Sequence, residues 1–369
     1  MQSDLFAGTY ARGEAAQAVS GHGWLLAMLE VESALAQACA AEGLIAPEAA
    51  AAVARACATA SETLAVDALA VDAADHATAV IPLVKALRDL VGAEHAAAVH
   101  VGATSQDVVD TAAMLVARRA LVQILEDADV AQTAARELAL SHAVTPFLGR
   151  TLLQPALAIP FAIEATTWGD AIDEARQALV AELPQLLAVQ MGGPVGARPP
   201  QIAHRVAELL DLAAPPRPWQ TNRVRVARLA AGLGVLAGSL GKVARDVTLL
   251  AQGEVGEVRE GGPDGRGGSS AMAHKRNPVG AVSVLACTRR VPGLVATILA
   301  LMEQEHQRGA GGWQAEWGTL TELLSLTGSA AAWAADLLGN LEVDPDRMRA
   351  NVVAQLGEDA VHQLAGGER

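Results

Sequence analysis

The sequence predicts an all-α protein built on a bundle of long helices, and three observations carry that prediction. Alanine, the strongest helix former, is abundant, while aromatic residues make up only 3% of the 369 residues. Two stretches place apolar residues in alternating steps of four and three: Leu229, Leu233, Leu236, Leu240, Val243, Val247 and Leu250 in one, and Phe161, Ala165, Trp168, Ile172, Ala175 and Leu179 in the other. The segments from Gln106 to about Ala139 and from Val279 to Met302 are also long, apolar and nearly free of proline. The first seam implies a helix of about 45 Å at 1.5 Å per residue, and four or more long helices of matched length imply a bundle. Seams this long also predict bundling between subunits of a closed oligomer, with a bundle closed inside one chain as the alternative.

Residues 1–101 read as an N-terminal domain of shorter helices. Leu25, Met28, Leu29, Glu32 and Leu35 fall at helical spacing, with the glutamate an exception in an otherwise apolar stripe. Gly43 ends that helix and Pro47 starts the next, while Ile81, Val84, Leu87 and Leu90 give a further amphipathic stripe. Residues 102–340 read as the central long-helix domain, and 341–369 as a reduced C-terminal domain whose last residues, Ala365 to Arg369, look frayed. Two glycine-rich stretches, 192–200 and 253–268, cannot be helical and are candidate mobile lids beside the rigid helices.

Composition excludes several functions. Hydrophobic residues are 51% and charged residues 18%, so the chain can bury a core and is not disordered. The net charge is −14 and no basic run is present, which argues against nucleic acid as a partner. Cys39, Cys57 and Cys287 lack the spacing of a zinc site and are odd in number, so neither a metal nor a disulfide framework is expected. The first ten residues show no secretory signal, and Arg289, Arg290 and Pro292 interrupt the most apolar stretch. These features predict a cytoplasmic protein without a membrane partner.

Three segments carry chemistry. In Gly268-Ser269-Ser270-Ala271-Met272-Ala273-His274-Lys275-Arg276-Asn277-Pro278, Asn277 reads as an N-cap and Pro278 as the first helical residue. A helix start with a lysine before it attracts carboxylate. Two serines follow flexible glycines, where a closing loop would carry them onto a substrate. In His100-Val101-Gly102-Ala103-Thr104-Ser105-Gln106-Asp107, Thr104 and Asp107 form a partial capping box at a second helix start. The third segment is Gly149-Arg150-Thr151-Leu152-Leu153-Gln154-Pro155-Ala156. Arg223 is a further cation, serving either the site or the surface.

The first segment resembles the signature G-S-S-x-M-P-x-K-x-N of the fumarase/aspartase superfamily, with Ala273 at the usual proline. The second and third are similar to that superfamily's other two site regions. The resemblance implies the fumarase/aspartase-like fold, no cofactor, and a homotetramer whose sites are shared between subunits. It implies Ser269 as acid/base with His100 as a second catalytic group. The implied substrate contacts are Thr104, Ser105, Arg150, Thr151, Gln154, Ser270, Met272, Lys275 and Asn277.

The third region departs from the pattern G-R-T-H-x-Q-x-A, because Leu152 stands at the histidine. Expelling an amine or hydroxide needs a general acid. A carboxylate, with an ordinary pKa of about 4, leaves or attacks as the anion and needs none. Together with the segments Ser3–Pro47, Ile81–Leu87, Gln190–Ala197 and Trp313–Trp317, this makes the chain most similar to the 3-carboxy-cis,cis-muconate cycloisomerase branch. That similarity implies lactonisation of a small tricarboxylate in protocatechuate degradation. The alternatives are an adenylosuccinate lyase-type C–N lyase and a non-catalytic helical scaffold.

Overall fold

A computed structural model describes residues 5–272 and 275–366; Ala273 and the last three residues, on which two of the expectations above fall, lie outside it. Two short helices, α1 (Ala7–Tyr10) and α2 (Ala15–Ala18), lead into α3 (Gly21–Ala41). Gly43, at φ +73°, lets the Leu44 N–H reach back to the Cys39 carbonyl at 2.8 Å and closes α3. The chain continues through α4 (Pro47–Thr63), with its proline at the first helical turn, α5 (Val66–Ala74) and α6 (Val80–Val91). In α6 the buried face is Val80, Leu83, Val84 and Leu87, while Ile81 and Leu90 are 46% and 43% exposed. The true stripe is therefore rotated from the expected one, because the adjacent Val80 and Leu83 compete for the core more successfully.

The long helices follow. They are α7 (Ser105–Ser141), α8 (Phe161–Leu186), α10 (Val224–Leu250) and α13 (Gly312–Gly339), with α9 (Pro200–Leu210) in the loop between α8 and α10. Every residue of the two heptad seams is buried. Each large aliphatic side chain so placed contributes about 1.5–3 kcal/mol. The seams are buried within one chain, by packing among α7, α8, α10 and α13, so they do not themselves require a second subunit. The apolar residues left exposed on these helices and their neighbours, such as Ile163, Val235, Val282 and Leu299, are others.

The segment expected to be one helix from Val279 to Met302 is two, α11 (Val279–Thr288) and α12 (Val291–Ala300). Pro292 sits in the first turn of α12 and has no N–H to give the carbonyl four residues back, that of Thr288, so α11 ends there and the break falls at Arg289-Arg290. By contrast α13 has a seam that the sequence reading passed over: Leu320, Leu324, Thr327, Ala331, Ala334 and Leu338, all buried. Among the described residues, three segments, including α3 and α10, are long and apolar enough to cross a membrane by composition; here all contribute to the common core.

One buried node aligns the bundle. Arg223, the residue before α10, donates to Asp110 near the start of α7 at 2.8 Å and to Glu316 near the start of α13 at 2.9 Å. Trp313 Nε1 adds a bond to Asp110 at 2.9 Å. Burial opposes the guanidinium charge, but the two carboxylates override it and hold Arg223 above the ordinary arginine range. Arg223 is thus neither a surface group nor a free site cation. It fixes three helix starts at one end of the molecule, with α8 running back between them.

Two small sheets form the other end. Strands β1 (Pro146–Thr151) and β2 (Gln154–Pro160) make a hairpin. Strand β3 (Val258–Glu260) pairs with β4 (Leu341–Val343), so the second glycine-rich stretch contains an ordered strand. Helices α14 (Pro345–Leu356) and α15 (Glu358–Gly366) pack on the hairpin, with Met348 and Val352 buried. Replacing Arg223 with methionine would leave two buried carboxylates without their cation. A loss of about 3–5 kcal/mol in urea-unfolding stability is expected.

Candidate active site

The Thr104 end holds a tight turn from His100 to Ser105. His100 has φ +64° and Gly102 φ +62°. The histidine is held there by Glu32, whose Oε1 lies 2.6 Å from His100 Nδ1. Glu32 is fully buried, so the apparent exception in the α3 stripe is a polar residue with a partner 68 positions away. An ionised carboxylate can only accept, so Nδ1–H is the donor in this pair and Nε2 is the ring nitrogen that Glu32 does not engage.

Thr104 caps α7, its N–H donating to Asp107 Oδ2 at 3.1 Å. The same carboxylate accepts from Gly192 N–H at 2.8 Å, Gly193 N–H at 2.8 Å and Gln190 Nε2 at 3.0 Å. Burial pushes the Asp107 carboxyl up from its ordinary value, and these four bonds counter it. The first glycine-rich stretch therefore begins as a buried, stapled segment rather than a lid. Ser105 is half-buried at the first helical position. Two arginines that the sequence reading did not single out flank the turn: Arg308 donates to Thr104 Oγ1, and Arg198 lies against Gly102.

At the other end, Leu152 and Leu153 are the two-residue loop of the β1–β2 hairpin, with φ of +50° and +64°. A loop of this kind favours Asn-Gly, and two leucines in it hold strained backbone. Leu152 is 97% exposed and Leu153 67% exposed. Thr151 and Gln154 flank them and are exposed. Arg150 is not free to meet a substrate carboxylate. It forms a two-pronged pair with buried Glu257 at 2.9 and 2.8 Å, and Asn351 of α14 holds the same carboxylate at 2.8 Å. Arg150 anchors the hairpin to β3.

The signature loop closes on itself. Asn277 N–H and Nδ2 both donate to the Gly267 carbonyl, at 2.7 and 3.0 Å, so Asn277 is a clasp rather than the N-cap, and the helix begins one residue later than expected, at Val279. Ser269 Oγ accepts from the backbone N–H of Ala271 at 3.3 Å and Met272 at 3.2 Å. Ser270, Met272 and Lys275 are exposed, and Lys275 has no ion pair among the described residues. The start of α11, expected to take a substrate carboxylate, already holds one: Glu260 accepts from Gly280 and Ala281 N–H, each at 2.8 Å. A cavity of about 720 Å³ lies between this loop and the β3–β4 ribbon, lined in part by Lys275, Asn277, Arg266 and Glu260. Among the described residues no cluster of His, Cys, Asp or Glu is arranged to hold a metal.

The structure thus sets the hairpin and the signature loop at one end, linked through Glu257 to Glu260, and the His100–Ser105 turn at the other. Helix α10 spans 27 residues from Arg223's node to the signature end, about 40 Å at 1.5 Å per residue. One chain does not bring the three segments together.

A family model described as "Lyase" matches residues 12–293. This chain belongs to the lyase family of the fumarase/aspartase superfamily. Among its relatives is a 3-carboxy-cis,cis-muconate cycloisomerase of Bradyrhizobium diazoefficiens, 43% identical over 92% of this chain and 76% of the relative. A nitrosuccinate lyase of Streptomyces davaonensis is 41% identical over 94% of this chain and 76% of its own length. The crystal structure of 3-carboxy-cis,cis-muconate lactonizing enzyme from Pseudomonas putida superposes with a TM-score of 0.90 at 39% identity, covering 99% of this chain and 87% of that one. The lyase fold is the all-α fold that the heptad seams predict.

Replacing Glu260 with alanine would strip the α11 start of its carboxylate. Removal of such a cap is expected to cost about 1–2 kcal/mol of stability. Added sulfate should recover part of that loss by binding the vacated N–H groups, as read by thermal unfolding with and without the anion.

Proposed function

We propose that this lyase-family member is a cycloisomerase that closes 3-carboxy-cis,cis-muconate to 4-carboxymuconolactone in cytoplasmic protocatechuate degradation. A substrate carboxylate adds to the double bond, forming the ring C–O bond, and the neighbouring carbon takes one proton. The observation that carries this reading is Leu152 on the hairpin tip, where the superfamily pattern has histidine. The position has no proton to give, so the chemistry should be one in which the oxygen group acts or leaves as a stable anion. Position 152 also weighs against the adenylosuccinate lyase-type alternative, whose leaving amine must be protonated.

Ser269 is the group proposed to carry the proton. Two backbone N–H groups point at its oxygen, which stabilises negative charge there when the hydroxyl gives its proton up. The cation of Lys275 in the same loop favours that charge and a substrate carboxylate alike. His100, whose Nε2 is not engaged by Glu32, is the second proton-handling group, and Thr104 and Ser105 contribute hydroxyls at the other end.

Because the segments lie about 40 Å apart along α10, the working site is proposed to form where copies meet, in a homotetramer. The exposed apolar tip at Leu152 and Leu153 suits such a contact. A second reading has one specific support. Nitrite also leaves as a stable anion, and the nitrosuccinate lyase is nearly as similar to this chain as the cycloisomerase.

Diene absorbance with 3-carboxymuconate, nitrite release from nitrosuccinate and turnover of adenylosuccinate separate the readings. Loss of diene absorbance is expected. Nitrite release without it would favour the second reading, and turnover of adenylosuccinate alone would overturn the proposal. Ser269→Ala should lower turnover by more than about a hundredfold, the low end for general acid–base catalysis. Mixing inactive Ser269→Ala protomers with inactive His100→Ala protomers should restore a fraction of the activity if sites are shared. No recovery after verified subunit exchange would exclude sharing.

A further inference from the structure

The buried arginines that brace the helix starts and the hairpin come with carboxylates. Arg223 has Asp110 and Glu316, and Arg150 has Glu257. Three others do not: Arg225, which donates to the Leu186 carbonyl at the end of α8, and Arg198 and Arg308, which both reach the His100–Ser105 turn. Neither of the last two forms an ion pair among the described residues, although Arg198 Nη1 and Arg308 Nε are both buried and bond to nothing there. What they do touch is neutral. Arg308 donates to the Thr104 hydroxyl and lies over the Trp313 ring with 5.7 Å to its centroid. Arg198 Nη2 points at Cys39 Sγ at 3.3 Å. Burial pushes the Cys39 thiol up despite Arg198, so it remains a thiol and supplies no counter-charge. The carboxylate in this cluster, Glu32, is bonded to His100.

The two guanidiniums sit on one turn. Arg308 holds Thr104, and a Cβ added to Gly102 would come within 3.6 Å of Arg198 Cζ. Their positions are fixed from outside that turn. Arg198 ends a loop whose Gly192 and Gly193 are stapled to Asp107, and its own N–H closes the loop on the Gly192 carbonyl at 3.0 Å. Arg308 stands just before α13 and is braced by Trp313. A half-buried guanidinium without a counter-ion is unfavourable. A fold that holds both in place with donors unsatisfied is arranged for anions that arrive from solution.

We propose that Arg198 and Arg308 form a two-guanidinium seat that binds two carboxylates of a polycarboxylate substrate against the His100–Ser105 turn. The identity of that polycarboxylate rests on the cycloisomerase reading; the seat itself rests on the unpaired donors. Arginine at both places suits planar, two-pronged recognition of carboxylate, which lysine cannot reproduce. With Lys275 arriving on the signature loop, a tricarboxylate would have one cation for each of its charges.

The test uses Arg198→Met and Arg308→Met in the full chain, with propane-1,2,3-tricarboxylate as a non-reacting probe. The probe should raise the melting temperature of the wild type, and either variant should lose most of that rise. KM for 3-carboxymuconate should increase about 10- to 100-fold per arginine, the range for losing a charge-assisted contact, with kcat changed far less. Unliganded variants should melt no lower than the wild type, because methionine removes an unpaired buried charge. A drop like that of Arg223→Met would mark a structural role and overturn the proposal, as would an unchanged KM and probe response. Should a methionine variant not fold, Arg198→Lys and Arg308→Lys decide: a raised KM with the melting temperature kept supports the seat, and an unchanged KM refutes it. If the wild type ignores 3-carboxymuconate yet shows the arginine-dependent probe response, the reaction assignment falls and the seat stands. If it turns over while the variants behave as wild type, the reverse holds.

Discussion

The architecture depends on Arg223. Its guanidinium bridges Asp110 of α7 and Glu316 of α13 while standing at the start of α10, so one charge sets the register and direction of three long helices. Side chains in an apolar seam can slide by a turn at modest cost, whereas a buried ion triad admits one arrangement. With the starts pinned, helix length determines the rest. The His100–Ser105 turn is fixed at the node, and the hairpin and signature loop are carried to the far end.

A second theme is how the protein treats its own carboxylates. Both helix starts that look in sequence like open anion seats are partly filled from within. Asp107 gathers N–H groups at the start of α7, and Glu260 takes the first free N–H groups of α11. The partial charge of a helix end is therefore used to hold the scaffold. Full charges on Arg198, Arg308 and Lys275 have no ion pair among the described residues, so a net charge of −14 coexists with local unpaired cations.

Much of this was legible in the sequence. The seams of α8 and α10 are buried residue for residue, because a 4-3 repeat leaves no other face for a helix to hide. Other features were not legible, for identifiable reasons. The break between α11 and α12 turned on a single proline in a strongly apolar run. The α13 seam includes Thr327 and two alanines, which dilute the pattern. Arg150 and Asn277 sit within motif segments, but their partners, Glu257 and the Gly267 carbonyl, come from pairings that no local pattern specifies. Glu32 gave the one useful anomaly, since a charge in an apolar stripe signals a buried partner, though not which one. Arg198 and Arg308 lacked even that signal: an arginine in a loop looks ordinary until its neighbours are seen to be neutral.

The backbone at Leu152 has a wider consequence. At φ +50° it already occupies a conformation that histidine tolerates better than leucine does, and His100 adopts a similar one in the same chain. A single base change converts a leucine codon of the CTC or CTT type into a histidine codon. An ancestor or descendant of this protein could therefore gain or lose an imidazole on the hairpin without rebuilding the loop, and with it the capacity to expel basic leaving groups. Divergence between ring-forming and amine-releasing branches would then need little more than one nucleotide at a site whose geometry was set in advance.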